Sequence, residues 1–309
     1  MKTTFRTRQP YADLFLRCAR EADCFSPARP ERFIKAMKQN RGSIHIFSGF
    51  GLDEEGLERK NPVIVALGDS VTAGHFENIN LADIGTRLKG YARLCGMELR
   101  DQDIPAAADK KGIMALLEEI VRKLPEGTGL PAGEITDARE SYIEKFRLRL
   151  IDKFEQTSVS VINAGIAGDN LIMMDKRLER DVLRYQPDLV LINGSLNWDD
   201  SMGTTAFYKQ LLEKIVDRVQ DHTEADIVLL TPNGMVTDRH FCMRLEERVE
   251  AVRAVACEKS VCLADTYAIW EKARDIGCPW QELLANGCNH PGVEGHEAYA
   301  ITLMKLFGD

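Results

Sequence analysis

Ser70 is the residue of this 309-residue sequence whose type and position most clearly suggest chemistry. It ends the segment Gly68-Asp69-Ser70, which directly follows the apolar run 63–67, and that run is typical of a buried parallel strand. A serine at the carboxyl end of such a strand lies where open α/β sheets bind their ligands. Because a serine hydroxyl is a weak nucleophile until a base takes its proton, the segment predicts a nucleophile that needs a partner.

Three later segments also lie at or beyond the ends of strand-like runs, and they carry small, amide or imidazole side chains. They are residues 163–170, which read Asn-Ala-Gly-Ile-Ala-Gly-Asp-Asn, residues 194–197, which read Gly-Ser-Leu-Asn, and residues 289–291, which read Asn-His-Pro. Together with the segment of Ser70 they resemble the SGNH hydrolases, also called the GDSL esterase/lipase family. That family is named for a Ser, a Gly, an Asn and a His in four separated blocks, and the four blocks occur here in that order.

The resemblance implies that Ser70 is the nucleophile and that His290 is the base that takes its proton. It assigns an oxyanion hole to the backbone N–H groups of Ser70 and Gly168 and to the side-chain amide of Asn197. Such donors lower the energy of the charged oxygen that forms when a serine attacks an ester carbonyl. Gly168 also suits this task by its own chemistry, since a glycine lets the backbone approach a ligand closely.

The third block allows two registers, because the family pattern is Gly-x-Asn-Asp and this chain departs from it. Counting along the strand from residue 188 places Asn197 on the Asn of the family. If Gly194 anchors the block instead, Leu196 takes that position and the oxyanion hole loses a donor. We favour Asn197, since strand length fixes which residue reaches the cleft.

The last block lacks the aspartate that the family has three residues before its histidine, and this chain has Gly287 there. Such an aspartate orients the imidazole and stabilises its charged form. Either the serine and the histidine act as a pair, with a backbone carbonyl holding the ring, or another group takes the place of the acid. The candidates for that group are Asp265, at the end of the fifth strand, and the nearby Asn286 and Asn289. We favour the pair.

Five strand-like runs alternate with amphipathic helical stretches from residue 62 onward. The strand-like runs are 63–67, 159–163, 188–193, 226–231 and 260–264, and the helical stretches are about 140–155, 173–185, 206–220, 241–257 and 293–307. This alternation predicts a parallel sheet with crossover helices. With the resemblance, it gives an α/β protein with a three-layer α/β/α arrangement and a mainly parallel five-stranded sheet, the flavodoxin-like SGNH fold. Thr231-Pro232-Asn233 ends the fourth strand. Of two interpretations, a plain turn and a segment that lines the cleft, we favour the plain turn.

The resemblance covers roughly residues 62–305 apart from a stretch at about 76–138, so two parts of the chain lie outside it. Residues 1–60 are expected to form an N-terminal extension packing on the main domain at 61–309. Residues 76–138 are expected to form a helical insertion, either with its own small packing face or as a cap that narrows the cleft. The insertion helix predicted at 109–124 should pack on the main domain or on a second subunit of a homo-oligomer.

Composition excludes several classes of function. The net charge is −8 and no Lys/Arg cluster occurs, which argues against nucleic acid and anionic membranes as partners. No run has the ~18–20 apolar residues of a membrane span, and no signal peptide is recognised at the N-terminus. The eight cysteines include no Cys-x-x-Cys pair, so no metal site and no cofactor is expected. Most of them are expected to be buried in a protein of the reducing cytoplasm.

The expected function is hydrolysis of a small-molecule ester, a carboxylester or an acylated carbohydrate, through an acyl-enzyme intermediate. Two alternatives stay open at this point. One is an acyltransferase that uses the same groups with an alcohol as acceptor. The other is a non-catalytic relative that binds a ligand, which the missing aspartate and the altered third block would explain.

Overall fold

A computed structural model describes most of the chain. The described residues are 11–40, 61–75, 84–106, 110–125, 138–236, 244–285 and 288–308. The candidate Asn286 lies outside these residues.

The centre of the molecule is a five-stranded sheet in which all four strand pairs are parallel, as the alternation of strands and helices predicts. The strands are β1 (Val63–Gly68), β2 (Ser160–Gly165), β3 (Leu189–Asn193), β4 (Asp226–Leu230) and β5 (Cys262–Ala264). Their spatial order is β2-β1-β3-β4-β5. β1, β3 and β4 read as almost continuous apolar runs because helices cover them on both faces.

Eleven α-helices occur in the described part of the chain. They are α1 (Ala12–Glu21), α2 (Glu31–Gln39), α3 (Ser70–Ala73), α4 (Ile84–Leu94), α5 (Lys110–Lys123), α6 (Tyr142–Lys153), α7 (Leu171–Asp181), α8 (Thr205–His222), α9 (Leu245–Glu258), α10 (Thr266–Asp275) and α11 (Val293–Lys305). The sequence predicts one helix over 173–185. The structure has α7 followed by a separate 3₁₀ turn, Leu183–Tyr185, and Val182 between them leaves the helical conformation with φ −127° and ψ −65°.

Side chains alternate along each strand, so the sheet has two apolar faces and the fold has three layers. On one face Val65 and Leu67 of β1 pack with residues of α7, α8 and α9. On the other face Ile64 and Ala66 pack with residues of α2, α6 and α11. The sheet is therefore enclosed by helices on both sides, the three-layer α/β/α arrangement expected from the sequence.

The N-terminal helices pack on this domain. Phe15 of α1 is fully buried and meets the Trp270 ring of α10 edge-on, with ring centroids 4.9 Å apart. α1 also lies against α11. Further along, the Ser26 hydroxyl accepts a hydrogen bond from the backbone N–H of Leu263, which protects the outer edge of β5.

The insertion has a small apolar cluster of its own. Leu88 and Ala92 of α4 pack with Ile120 of α5, and all three side chains are buried. The side chains of Ile113 and Leu117, which the helical spacing places on the same apolar face as Ile120, lie outside the described residues. The position of the insertion beside the cleft stays a prediction.

The cysteines are less buried than expected. All seven in the described residues are free thiols, but only Cys18, Cys262 and Cys278 are buried, and Cys257 on α9 is exposed. Helix α9 covers the sheet with one side only, so a cysteine on its outer side meets solvent. None of the described helices is long and apolar enough to cross a membrane.

Candidate active site

The candidate residues follow the carboxyl ends of three neighbouring strands. β1 lies between β2 and β3, so the chain leaves β1 for one side of the sheet and later returns to the other. Open α/β sheets bind ligands at such a switch in strand order, outside the carboxyl ends of the strands. Ser70, Gly168 and Asn197 lie after β1, β2 and β3 respectively, so the topology brings their loops to one edge.

Ser70 begins the short helix α3 directly after β1. The Asp69 carboxylate caps that helix by accepting a hydrogen bond of 2.9 Å from the backbone N–H of Val71. Gly74 ends the helix with φ 89°, in the left-handed region that favours glycine. Because the helix is a single turn capped at both ends, its first residue is held just beyond the carboxyl end of β1.

The structure brings His290 to Ser70. The Ser70 Oγ and the His290 Nε2 are 2.9 Å apart, although 220 residues separate them in the sequence, and both side chains are buried. This distance is that of a nucleophile and the base that activates it. The rings of His290 and His75 lie edge to face with centroids 6.3 Å apart, a neighbour that the sequence did not suggest.

The loop of His290 is fixed by backbone hydrogen bonds. The carbonyl of His290 accepts from the N–H of Ala285, and the carbonyl of Cys288 accepts from the N–H of Val236, each at 2.8 Å. Leu284 and Pro291 form an isolated antiparallel bridge. The histidine therefore stands on a tight loop that is tied to the chain following β4.

The loop after β2 presents Gly168 with φ 74°, so an L-residue there would be strained. Three residues earlier, Gly165 lies against the helix of the nucleophile. A Cβ on Gly165 would come within 2.3 Å of the Ala73 backbone nitrogen, which only a shift of the backbone could relieve. The end of β2 and helix α3 thus approach as closely as they do because residue 165 has no side chain.

Asn197 lies at the same edge with its side chain buried. Its Nδ2 donates a hydrogen bond of 3.1 Å to the backbone carbonyl of Asp169, next to Gly168. Leu196 is part of the hydrophobic core on one face of the sheet. An amide nitrogen carries two protons, so one bond to Asp169 leaves a second N–H for another acceptor.

Arg177 of α7 joins the carboxyl ends of β1 and β2, and sequence reasoning did not identify it. Its buried guanidinium donates to the Asp169 carboxylate at 2.6 Å, to the carbonyl of Ala164 at 2.7 Å and to the carbonyl of Gly68 at 3.0 Å. Five donors in a fixed plane suit such a task, and a lysine would not replace them. The signal in the sequence is weak, since an arginine on an amphipathic helix usually faces water.

Burial changes the charge state near Ser70. The pKa of Asp69 is raised to about 7, mainly by desolvation and also by the nearby Asp169, while hydrogen bonds from the backbone oppose the shift. Asp69 therefore keeps its proton in weakly acidic solution. The cap on helix α3 is then a neutral carboxyl over part of the physiological range.

The candidates for the missing acid lie in different surroundings. The Asp265 carboxylate accepts from Arg253 Nε and from the Thr231 hydroxyl, each at 2.8 Å. It also caps α10 by accepting from the N–H of Ala268. Asp265 therefore fixes the end of β5. Asn289 is buried, and its backbone carbonyl accepts from the side chain of Asn233.

The arrangement of these groups can carry out nucleophilic acyl transfer. A hydroxyl and an imidazole nitrogen lie at hydrogen-bonding distance, and amide donors from two other loops lie at the same sheet edge. Within the described residues, no group of three His, Cys, Asp or Glu side chains could hold a metal ion.

Comparison with known proteins gives a family match over more than half of the chain. The model of the GDSL-like lipase/acylhydrolase family matches residues 124–298. This range includes Gly168, Asn197 and His290 but not Ser70. No curated protein matches the sequence.

Solved structures share the fold over most of the chain. An acetyl-xylooligosaccharide esterase, Axe2 of Geobacillus stearothermophilus, is 20% identical with a TM-score of 0.52, covering 81% of this chain and 95% of that one. A protein described as a GDSL-like lipase from Parabacteroides merdae is 18% identical with a TM-score of 0.53, covering 81% and 96%. An α/β hydrolase from the metagenome of Lake Arreo is 18% identical with a TM-score of 0.52, covering 80% and 95%.

Proposed function

We propose, since the chain belongs to the GDSL-like lipase/acylhydrolase family, that it hydrolyses small carboxylic esters with Ser70 as nucleophile and His290 as base. Family membership makes the chain a carboxylic ester hydrolase. The observation that carries the assignment of the residues is the 2.9 Å distance between Ser70 Oγ and His290 Nε2 at the switch in strand order.

The reaction follows from this geometry. Ser70 Oγ attacks the ester carbonyl carbon while its proton passes to His290 Nε2. The carbon–oxygen bond to the alcohol then breaks, and the imidazolium gives its proton to the departing alkoxide. Water, deprotonated by the same nitrogen, attacks the acyl-enzyme and releases the free acid and Ser70.

The oxyanion hole in this proposal consists of the N–H groups of Ser70 and Gly168 and the Asn197 amide. The support for Asn197 is its hydrogen bond to the Asp169 carbonyl, which fixes the amide plane beside Gly168. A donor that is already fixed loses no free energy to reorganisation when the charge develops.

The Asn197→Ala variant should lower kcat by about 10²–10³-fold with KM little changed, because the bond to the oxyanion forms mainly in the transition state. Steady-state kinetics on p-nitrophenyl acetate measures both constants. A rise in KM at unchanged kcat would show instead that Asn197 binds the ground state of the substrate.

The proposed substrates are esters with short acyl groups, acetylated carbohydrates among them. The support is the likeness in fold to Axe2, which is described as an acetyl-xylooligosaccharide esterase. The predicted position of the insertion beside the cleft points the same way, because an insert there would narrow the site.

A panel of p-nitrophenyl esters tests this substrate class. We expect kcat/KM to fall steeply from acetyl to octanoyl, since a narrow site excludes the longer chain, and acetylated xylo-oligosaccharides should release free acetate. An added alcohol separates hydrolysis from acyl transfer: hydrolysis releases the free acid, whereas acyl transfer forms the ester of the added alcohol. A preference for emulsified long-chain esters would contradict the proposal.

We also propose that the protein works in a reducing compartment such as the cytoplasm. The seven free cysteines of the described residues support this. A homo-oligomer stays a proposal as well.

A further inference from the structure

A line of buried polar side chains connects the turn of Ser70 with the loop of His290. It begins at Thr72, two residues after Ser70. The Oγ1 of Thr72 lies 2.8 Å from the Tyr142 hydroxyl. The ring of Tyr142 stacks on that of Tyr299, with centroids 4.8 Å apart and an interplanar angle of 25°. All of these side chains are buried.

The line continues through Asn233, the third residue after β4. The Tyr299 hydroxyl donates to Asn233 Oδ1 at 3.2 Å, and Asn233 Nδ2 donates at 2.8 Å to the carbonyl of Asn289, the residue before the histidine. Nδ2 also donates to the carbonyl of Gly234 at 2.8 Å. Both protons of the amide nitrogen and one lone pair of its oxygen are thereby used in one fixed orientation.

The hydroxyl groups of this line stay protonated. Burial raises the pKa of Tyr142 and of Tyr299 above the ordinary value of tyrosine. Tyr299 therefore keeps the proton that it donates to Asn233 Oδ1.

Asn233 is well suited to fix the histidine loop because it is fully buried and hydrogen-bonded through both ends of its amide. It lies on the segment after β4 whose Val236 N–H also bonds the carbonyl of Cys288, so side chain and backbone of one segment bind two successive residues before His290. The aspartate that the family uses to orient its histidine would fall on this same loop, where the sequence has Gly287.

We propose that Asn233 and Tyr299 are positioning residues for His290, which hold its loop so that Nε2 stays within hydrogen-bonding distance of Ser70. This proposal rests on the proposed function. The amide of Asn233 acts on the backbone of the loop, whereas the aspartate of the family acts on the imidazole ring. Because transfer of the serine proton depends steeply on distance, a small displacement of the loop slows the chemical step.

The test compares Asn233→Leu and Tyr299→Phe with the matched control Tyr267→Phe. Asn233→Leu removes the amide at similar volume. Tyr299→Phe removes only the hydroxyl that orients it and keeps the stacked ring. Tyr267 is likewise buried, but its hydroxyl bonds Glu246, outside this line of side chains. For each variant, kcat and KM on p-nitrophenyl acetate, the rate of covalent labelling by an organophosphonate and the melting temperature are measured.

We expect Asn233→Leu to lower kcat and the labelling rate in parallel by about 10–100-fold with KM unchanged. Tyr299→Phe should act in the same direction by a smaller factor. Tyr267→Phe should keep both rates of the wild type. In the double variant the second substitution should add little, since both residues act through one amide.

If Asn233→Leu or Tyr299→Phe has the kcat of the wild type, whatever its melting temperature, the proposal for that residue is overturned. The same holds if its loss of kcat is no larger than that of Tyr267→Phe. If Asn233→Leu does not fold, Tyr299→Phe decides alone. Failure of the wild type to react with the organophosphonate and with every ester would instead overturn the proposed function.

Discussion

Replacement of Ser70 by alanine is expected to lower kcat by roughly three to six orders of magnitude, because no other group can form the acyl-enzyme. The fold should survive the change. Ser70 supplies one hydroxyl to the site, whereas helix α3 is capped by the Asp69 carboxylate and ended by Gly74, and neither of these depends on the serine side chain.

The measurement has two parts. Stopped-flow kinetics with p-nitrophenyl acetate should show a burst of acyl-enzyme in the wild type, or at least single-turnover acylation, and none in the variant. Thermal unfolding of both proteins is the control for folding. Turnover by a folded Ser70→Ala protein at the rate of the wild type would refute the assignment of the nucleophile and, with it, the catalytic scheme.

The second large effect is expected for His290→Ala, which should be nearly as inactive as Ser70→Ala. Without the imidazole no group accepts the proton of Ser70, and the alkoxide of the leaving alcohol departs without a proton. The two losses should not add. Residues that act as one unit are strongly non-additive, so the double variant should be about as active as either single variant.

Asp265→Asn is the matched comparison, since it tests the other candidate for a catalytic acid. In the structure this carboxylate is bonded to Arg253 and Thr231. We therefore expect Asp265→Asn to lower kcat only modestly and to lower the free energy of unfolding clearly. Chemical denaturation and kinetics on the same samples separate the two. A loss of kcat equal to that of His290→Ala would show that Asp265 acts on the histidine after all.

Most of the sheet could be predicted from the sequence because β1, β3 and β4 are enclosed on both faces. Uninterrupted apolar runs such as 63–67 and 189–192, separated by helical stretches, are typical of buried parallel strands. The candidate site residues could be placed for the same reason, since the ends of parallel strands meet at one edge. Helix boundaries were less certain, and the break at Val182 depends on backbone angles that the pattern does not encode.

The supporting residues could not be predicted, because several of their partners are backbone atoms. Arg177 bonds the carbonyls of Gly68 and Ala164, and carbonyl groups leave no mark on the sequence. For the same reason the sequence predicts no more than a plain turn around Asn233. Only the three-dimensional arrangement shows that its amide reaches the carbonyl of Asn289.

The packing of α1 against α10 and α11 has a consequence for the order in which the protein assembles. Phe15 packs against Trp270, which is synthesised 255 residues later, so this contact cannot form until Trp270 has been added to the chain. A contact of such sequence separation carries a high loop-closure entropy and tends to form late in folding. During synthesis the apolar side of α1 is therefore exposed until the last helices have emerged, and this is the interval in which a chaperone would be most useful to the chain.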